Sequence, residues 1–67
     1  MRIETNSRKL IRLIEAAGWY EVGAEGSHHH FRHPARAGKI QVPHPKKDLP
    51  VGTARAIMRD AGLLGKD

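Results

Sequence analysis

No cysteine occurs among these 67 residues. Disulfide staples and thiolate zinc sites are thereby excluded, and a reducing compartment, the cytoplasm, is expected. Aromatic residues are nearly as scarce: Trp19, Tyr20 and Phe31 are the only ones. A sheet that reads unpaired bases by stacking would want more of them on its strands. There is no long apolar run, so neither a secretory leader nor a membrane span is expected. Repeats and low-complexity tracts are missing as well. Acidic residues are outnumbered, with seven Asp and Glu against twelve Lys and Arg and a formal charge of +5. Such an imbalance speaks of partners rather than of fold, and nucleic acid is the commonest reason for it in a small domain. The basic residues do not line one long amphipathic helix, which disfavours a membrane surface.

What remains is one domain, residues 1–67 with a core at about 7–63. A chain this short buries only about 60% of the surface its unfolded form exposes, so its stability is marginal. Its 39% hydrophobic and 28% charged residues are those of a globular chain rather than a disordered one.

Residues 1–6 read as a loose start. Ser7 suits a helix N-cap, and Leu10, Leu13, Ile14 and Ala17 then recur at i, i+3, i+4 and i+7, with Gly18 as terminator. Trp19-Tyr20-Glu21-Val22 is a short strand, and Gly23-Ala24-Glu25-Gly26 a turn. A second strand runs from His28 to His33, stopped by Pro34. Ala35-Arg36-Ala37-Gly38 turns the chain into a third strand, Lys39-Ile40-Gln41-Val42. Ala54, Ile57, Met58 and Ala61 mark a second helix, with Pro50 in its first turn and Gly62 at its end. Hairpin-length turns imply an antiparallel sheet. The expected fold is a two-layer α+β domain, helix, three strands, helix, with both helices on one sheet face and the other face open.

Four of the five histidines lie between Gly26 and Pro34. Alternate strand residues face opposite sides. If Phe31 points into the core, His29 and His33 share its side, as a core or rim histidine bonding a backbone carbonyl and a strand-end residue. His28, His30 and Arg32 then share the open side. Trp19 reads as core and Tyr20 as exposed. His28, at the mouth of a glycine turn, is placed to reach a nucleic-acid backbone, either as a proton-transfer group or as a plain phosphate contact. Adjacent strand residues diverge, so His28, His29 and His30 cannot all ligate one ion. A pair from His28 and His30 would still need a third ligand such as His44, and no functional metal is expected. Lys46 and Lys47 precede the second helix, where Gly52 and Thr53 would let a phosphate approach the backbone. Arg55 and Arg59 share a helical face and extend the track. The bland alternative is a lysine pair on a solvated loop.

Leu10 to Trp19 (LIRLIEAAGW), Gly26-Ser27-His28-His29-His30-Phe31, the run Val42-Pro43-His44-Pro45-Lys46-Lys47-Asp48-Leu49-Pro50-Val51-Gly52-Thr53, and Ala61-Gly62-Leu63 together resemble the HicA toxins of bacterial toxin–antitoxin systems. The resemblance runs from about Ser7 to Leu63. It implies a double-stranded-RNA-binding-like fold and an mRNA interferase, an endoribonuclease that arrests translation. It also implies a cytoplasmic location, no metal or small-molecule cofactor, and a HicB antitoxin that covers the active site. The implied active residue is the histidine directly after Gly26-Ser27, His28. The expected RNA contacts are Gly26, Ser27, His30, Arg32, Lys46, Lys47 and Arg55, with mRNA as the substrate. The family motif often has a residue other than histidine where His30 stands. A non-catalytic RNA-binding module of the same fold is the alternative.

Overall fold

A computed structural model describes residues 2–64. Along the chain these form α1 (Ser7–Ala16), β1 (Tyr20–Glu25), β2 (His28–His33), β3 (Arg36–Pro43) and α2 (Val51–Asp60). The strands pair antiparallel in the order β1-β2-β3. The two helices pack on β3 and on each other. This is the expected two-layer α+β architecture, consistent with a double-stranded-RNA-binding-like fold.

The apolar stripe that makes α1 helical buries Leu10 and Ile14 completely, while Leu13 stays at the rim and Ala17 lies outside the core. The α2 stripe, Ala54, Ile57, Met58 and Ala61, is buried in full. Between the layers lie Phe31 of β2 and Ile40 and Val42 of β3. Burying a side chain the size of Phe31 contributes about 1.5–3 kcal/mol. Trp19 is buried as expected, and its indole N–H donates to the Ala61 carbonyl at 3.2 Å, tying the end of α2 to the start of β1. Tyr20 is exposed.

Four local expectations are corrected. The helix cap is Asn6, not Ser7: Asn6 has extended backbone, and its side-chain oxygen accepts from the Lys9 amide at 3.1 Å. Ser7 is instead a buried helical residue. The strands are longer and their turns shorter than the glycines suggested. β1 continues through Gly23, Ala24 and Glu25, so the first turn is only Gly26-Ser27. β3 begins at Arg36, so the second is only Pro34-Ala35. Gly26 has φ +61°, the left-handed conformation that a two-residue II′ hairpin needs at its first central position. Finally, the N-terminal segment is not loose. Met1 lies outside the described residues, but Ile3 packs on the core and the Thr5 carbonyl accepts from the Leu49 amide at 2.7 Å.

Candidate nucleic-acid interface

Strand alternation and register sort the histidines. His29, Phe31 and His33 face the helices. His28, His30 and Arg32 face the open side, joined there by Gln41, which pairs with His30 across β3, and by Lys39.

On the helix side each histidine is committed. The His33 ring lies edge-on to Trp19, its Nε2–H donates to the Ala17 carbonyl at 2.9 Å, and its Nδ1 accepts from the Ala35 amide at 3.0 Å. Both nitrogens are thus used to pin the end of α1 to the second turn. His29 was expected to bond a backbone carbonyl; it pairs with the Glu21 carboxylate at 2.9 Å instead. His44 sits edge-on to His29, and its Nδ1 accepts from the Ser7 hydroxyl at 2.7 Å.

On the open side, His28 is exposed at the first position of β2. Its Nδ1 is hydrogen-bonded to the Gln41 side-chain amide. Among the described residues nothing bonds its Nε2. His30 is half-buried, with Nε2 3.7 Å from the Glu25 carboxylate and a buried Nδ1 that has no partner among the described residues. His30, Arg32 and Lys39 line a trough of about 360 Å³ with Glu25 and Gly23.

The loop after β3 is held by both layers. The His44 amide donates to the Ser27 carbonyl at 2.7 Å, extending the ladder beside the Gly26-Ser27 turn. The Lys46 amide donates to Ser7 Oγ at 2.8 Å, and the Ser7 amide donates to the Lys46 carbonyl at 2.9 Å. Lys46 and Lys47 therefore line a cleft of about 380 Å³ with Asn6, Ser7, Arg8 and His44, at the N-terminus of α1. Gly52 and Thr53, at the start of α2, are not part of that cleft. Arg55 is exposed on α2 and lines neither the cleft nor the trough.

Of the residues singled out in the sequence, the open face gathers His28, His30 and Arg32, and the Gly26-Ser27 turn adjoins them. The lysine pair lines a separate cleft, linked to that turn by the His44–Ser27 backbone bond. Sequence reasoning passed over Gln41, Glu25, Gly23 and Arg8. Gln41 alternates with Ile40 and Val42, which places it on the outer side of its strand; which histidine it meets depends on a register the sequence does not display. No group of three histidine or acidic side chains able to hold a metal ion is found among the described residues.

The family model for HicA toxins of bacterial toxin–antitoxin systems matches residues 7–63. No curated protein matches the chain.

Proposed function

The chain belongs to the HicA toxin family, which makes it the toxin component of a toxin–antitoxin system, and we propose that it is an mRNA interferase whose catalytic residue is His28. The observation that carries this reading is the contrast among the histidines. His29, His33 and His44 have ring nitrogens hydrogen-bonded to Glu21, Ser7 or the backbone at Ala17 and Ala35, His30 faces Glu25 at 3.7 Å, and all four are half-buried. His28 alone stands exposed, with one nitrogen held by Gln41 and the other directed away from it.

RNA brings its own nucleophile. His28 Nε2 takes the proton of a ribose 2′-hydroxyl, the 2′-oxygen bonds to the adjacent phosphorus, and the P–O5′ bond breaks. The 5′-oxygen leaves with a proton returned by the imidazolium or by water. The products are a 2′,3′-cyclic phosphate and a 5′-hydroxyl, and atoms balance with no co-reactant. General acid–base help of this kind contributes about 10²–10⁴-fold. Gln41 orients the ring. Its side-chain oxygen accepts from Nδ1–H whenever Nε2 must be bare, and its NH₂ donates to Nδ1 in the other tautomer. Arg32 and Lys39, on the same face, give it the positive charge that draws an RNA backbone. Lys46 and Lys47, with Arg8, hold phosphates farther along the strand. His30, with one nitrogen buried and the other turned to Glu25, belongs to the wall of the site.

The partner in control of this face is a HicB-like antitoxin that covers the basic side and is drawn to it by charge. The setting is the cytoplasm, where messenger RNA is found. No described helix is long and apolar enough to cross a membrane.

The test is cleavage of RNA by wild type and His28→Ala in EDTA, together with growth arrest on expression without antitoxin. Wild type is expected to cut and arrest, and the variant to lose at least 10²-fold in rate. Equal cleavage by both would remove His28 from the mechanism. Loss of wild-type activity in EDTA would require a metal. RNA binding without cleavage by either protein would leave the RNA-binding module.

A further inference from the structure

The trough on the open face has an origin that can be read from the register. β1 carries one extra residue between Glu21 and Gly23, so Gly23 rather than Val22 stands opposite His30. Glycine puts no side chain there, and the space over that pair is the trough. Neither crowding nor conformation calls for the glycine. A Cβ at Gly23 would meet nothing within 4 Å, and its φ is not in the left-handed region. Glycine inside a strand weakens it, and it recurs at bulges and where a ligand approaches the backbone closely. The lining is charged: Arg32 and Lys39 are basic, Glu25 is acidic, and His30 lies among them.

Spacing connects this trough to His28. Alternate residues of a strand stand about 6.6 Å apart, so His28, His30 and Arg32 form a row whose step is comparable to that between successive phosphates of an extended RNA strand. A phosphate at His28 thus places its neighbour over the trough, within reach of both cations. We propose that the trough seats the nucleotide adjacent to the scissile phosphate, with that nucleotide's phosphate held by Arg32 and Lys39. Its ribose or base donors face the Glu25 carboxylate. The inference rests on the ribonuclease reading for the phosphate at His28, but the trough itself is a binding site with its own readout.

Two variants attack it by different means. Gly23→Val fills the trough and leaves every charge in place. Arg32→Ala with Lys39→Ala removes the cations and leaves the space open. Each is compared with wild type on a ladder of oligoribonucleotides from two to six residues, for kcat/KM, and on the same ladder made non-cleavable with 2′-deoxyribose, for affinity by anisotropy at several salt concentrations. In wild type, both quantities are expected to rise by about tenfold when the oligomer becomes long enough to reach the trough. That step is lost in both variants. The double alanine variant also flattens the slope of log affinity against log salt by about 1.4, two cations at about 0.7 each for a single strand, whereas Gly23→Val leaves the slope unchanged. Thermal melts confirm that each variant folds. A step that survives in either folded variant overturns the proposal. So does a loss confined to binding of an acidic peptide, which would make the trough a protein-docking surface. Wild type that cuts RNA without any step sinks the subsite and leaves the nuclease standing. Wild type that shows the step in binding but cuts nothing sinks the nuclease and leaves the subsite.

Discussion

Ser7 and Asn6 lie side by side at the start of α1 and offer a sharp test of how this domain is held together. Were Ser7 the cap, Ser7→Ala would cost about 1 kcal/mol and Asn6→Ala almost nothing. The structure reverses the order. Asn6 supplies the capping oxygen to Lys9, so Asn6→Ala is expected to cost about 1 kcal/mol. Ser7 is 1% exposed, and its hydroxyl joins two segments far apart in sequence. It accepts from the Lys46 amide at 2.8 Å and donates to His44 Nδ1 at 2.7 Å. Alanine there removes both bonds and leaves the Lys46 amide without its acceptor. An unsatisfied buried group costs about 1–3 kcal/mol, so a loss of about 2 kcal/mol is expected.

In a chain of this size that loss is large. Stability of about 0.05–0.15 kcal/mol per residue gives about 3–10 kcal/mol for the whole domain. One kcal/mol shifts the melting temperature of a small domain by about 4–8 °C. Ser7→Ala should therefore lower it by about 8–16 °C, and Asn6→Ala by about half as much. Arg12→Ala, exposed on the same helix, should stay within about 0.5 kcal/mol of wild type. The measurement is a circular dichroism melt of all four proteins. Ser7→Ala melting within about 3 °C of wild type, or above Asn6→Ala, would refute the claim that this hydroxyl clamps the lysine loop to α1.

The remaining predictions concern the two ends of β2. Gly18 has φ +104°, and a Cβ there would lie 2.6 Å from His33 Nε2. Gly18→Ala is expected to cost about 1–3 kcal/mol through backbone strain. The double variant with His33→Ala should be less destabilised than the sum of the singles, because the clash and the lost bond to Ala17 are shared; strict additivity in denaturant melts would show that the ring is not what Gly18 accommodates. At the other end, Gln41→Ala removes the neighbour of His28 Nδ1 and leaves Nε2 exposed. A net hydrogen bond of about 0.5–1.5 kcal/mol corresponds to about a 2- to 12-fold fall in kcat. Affinity for non-cleavable RNA should stay within twofold. A fall in affinity with kcat unchanged would assign Gln41 to binding.

The order of elements was legible because each rests on a local pattern. Two stripes at i, i+3, i+4 and i+7 and one strand bounded by a glycine turn and a proline are visible without knowing what packs on what. Misread features depend on long-range pairing. Gly23 looks like part of a turn, yet its pairing opposite His30 draws it into β1, since strand propensity yields to the ladder it joins. Ser7 looks like a cap until a loop nearly forty residues away closes over it. The lysine pair looks attached to the helix it precedes, while the backbone bonds of Ser7 and Lys46 seat it against the other helix. The candidate site divides the same way. Period-two alternation places His28, His30 and Arg32 on one face from sequence alone. Gln41 above His28 and Gly23 opposite His30 need the register, and the bulge at Val22 resets that register midway along β1.

The two faces of the sheet obey different rules, and that difference is the strongest physical argument for where function lies. On the helix side every local choice agrees with the fold. The core side chains Leu10, Ile14, Phe31 and Val42 are buried, the Trp19 N–H has its carbonyl, and both nitrogens of His33 are bonded. On the open side the choices conflict with stability. A glycine interrupts a strand, Val22 is half exposed, a buried imidazole nitrogen lacks a partner among the described residues, and two cations share one trough. A marginal domain gains nothing from such features while empty. Selection for folding alone would replace Gly23 with a β-branched residue, which has open space to occupy. Local rules broken together on one face, while the opposite face keeps them, are expected where a ligand supplies the missing contacts. If Gly23→Val raises the melting temperature while abolishing the gain from longer RNA, stability and binding are shown to compete at that position. If it raises stability and leaves RNA recognition untouched, the irregularities of this face have some other origin.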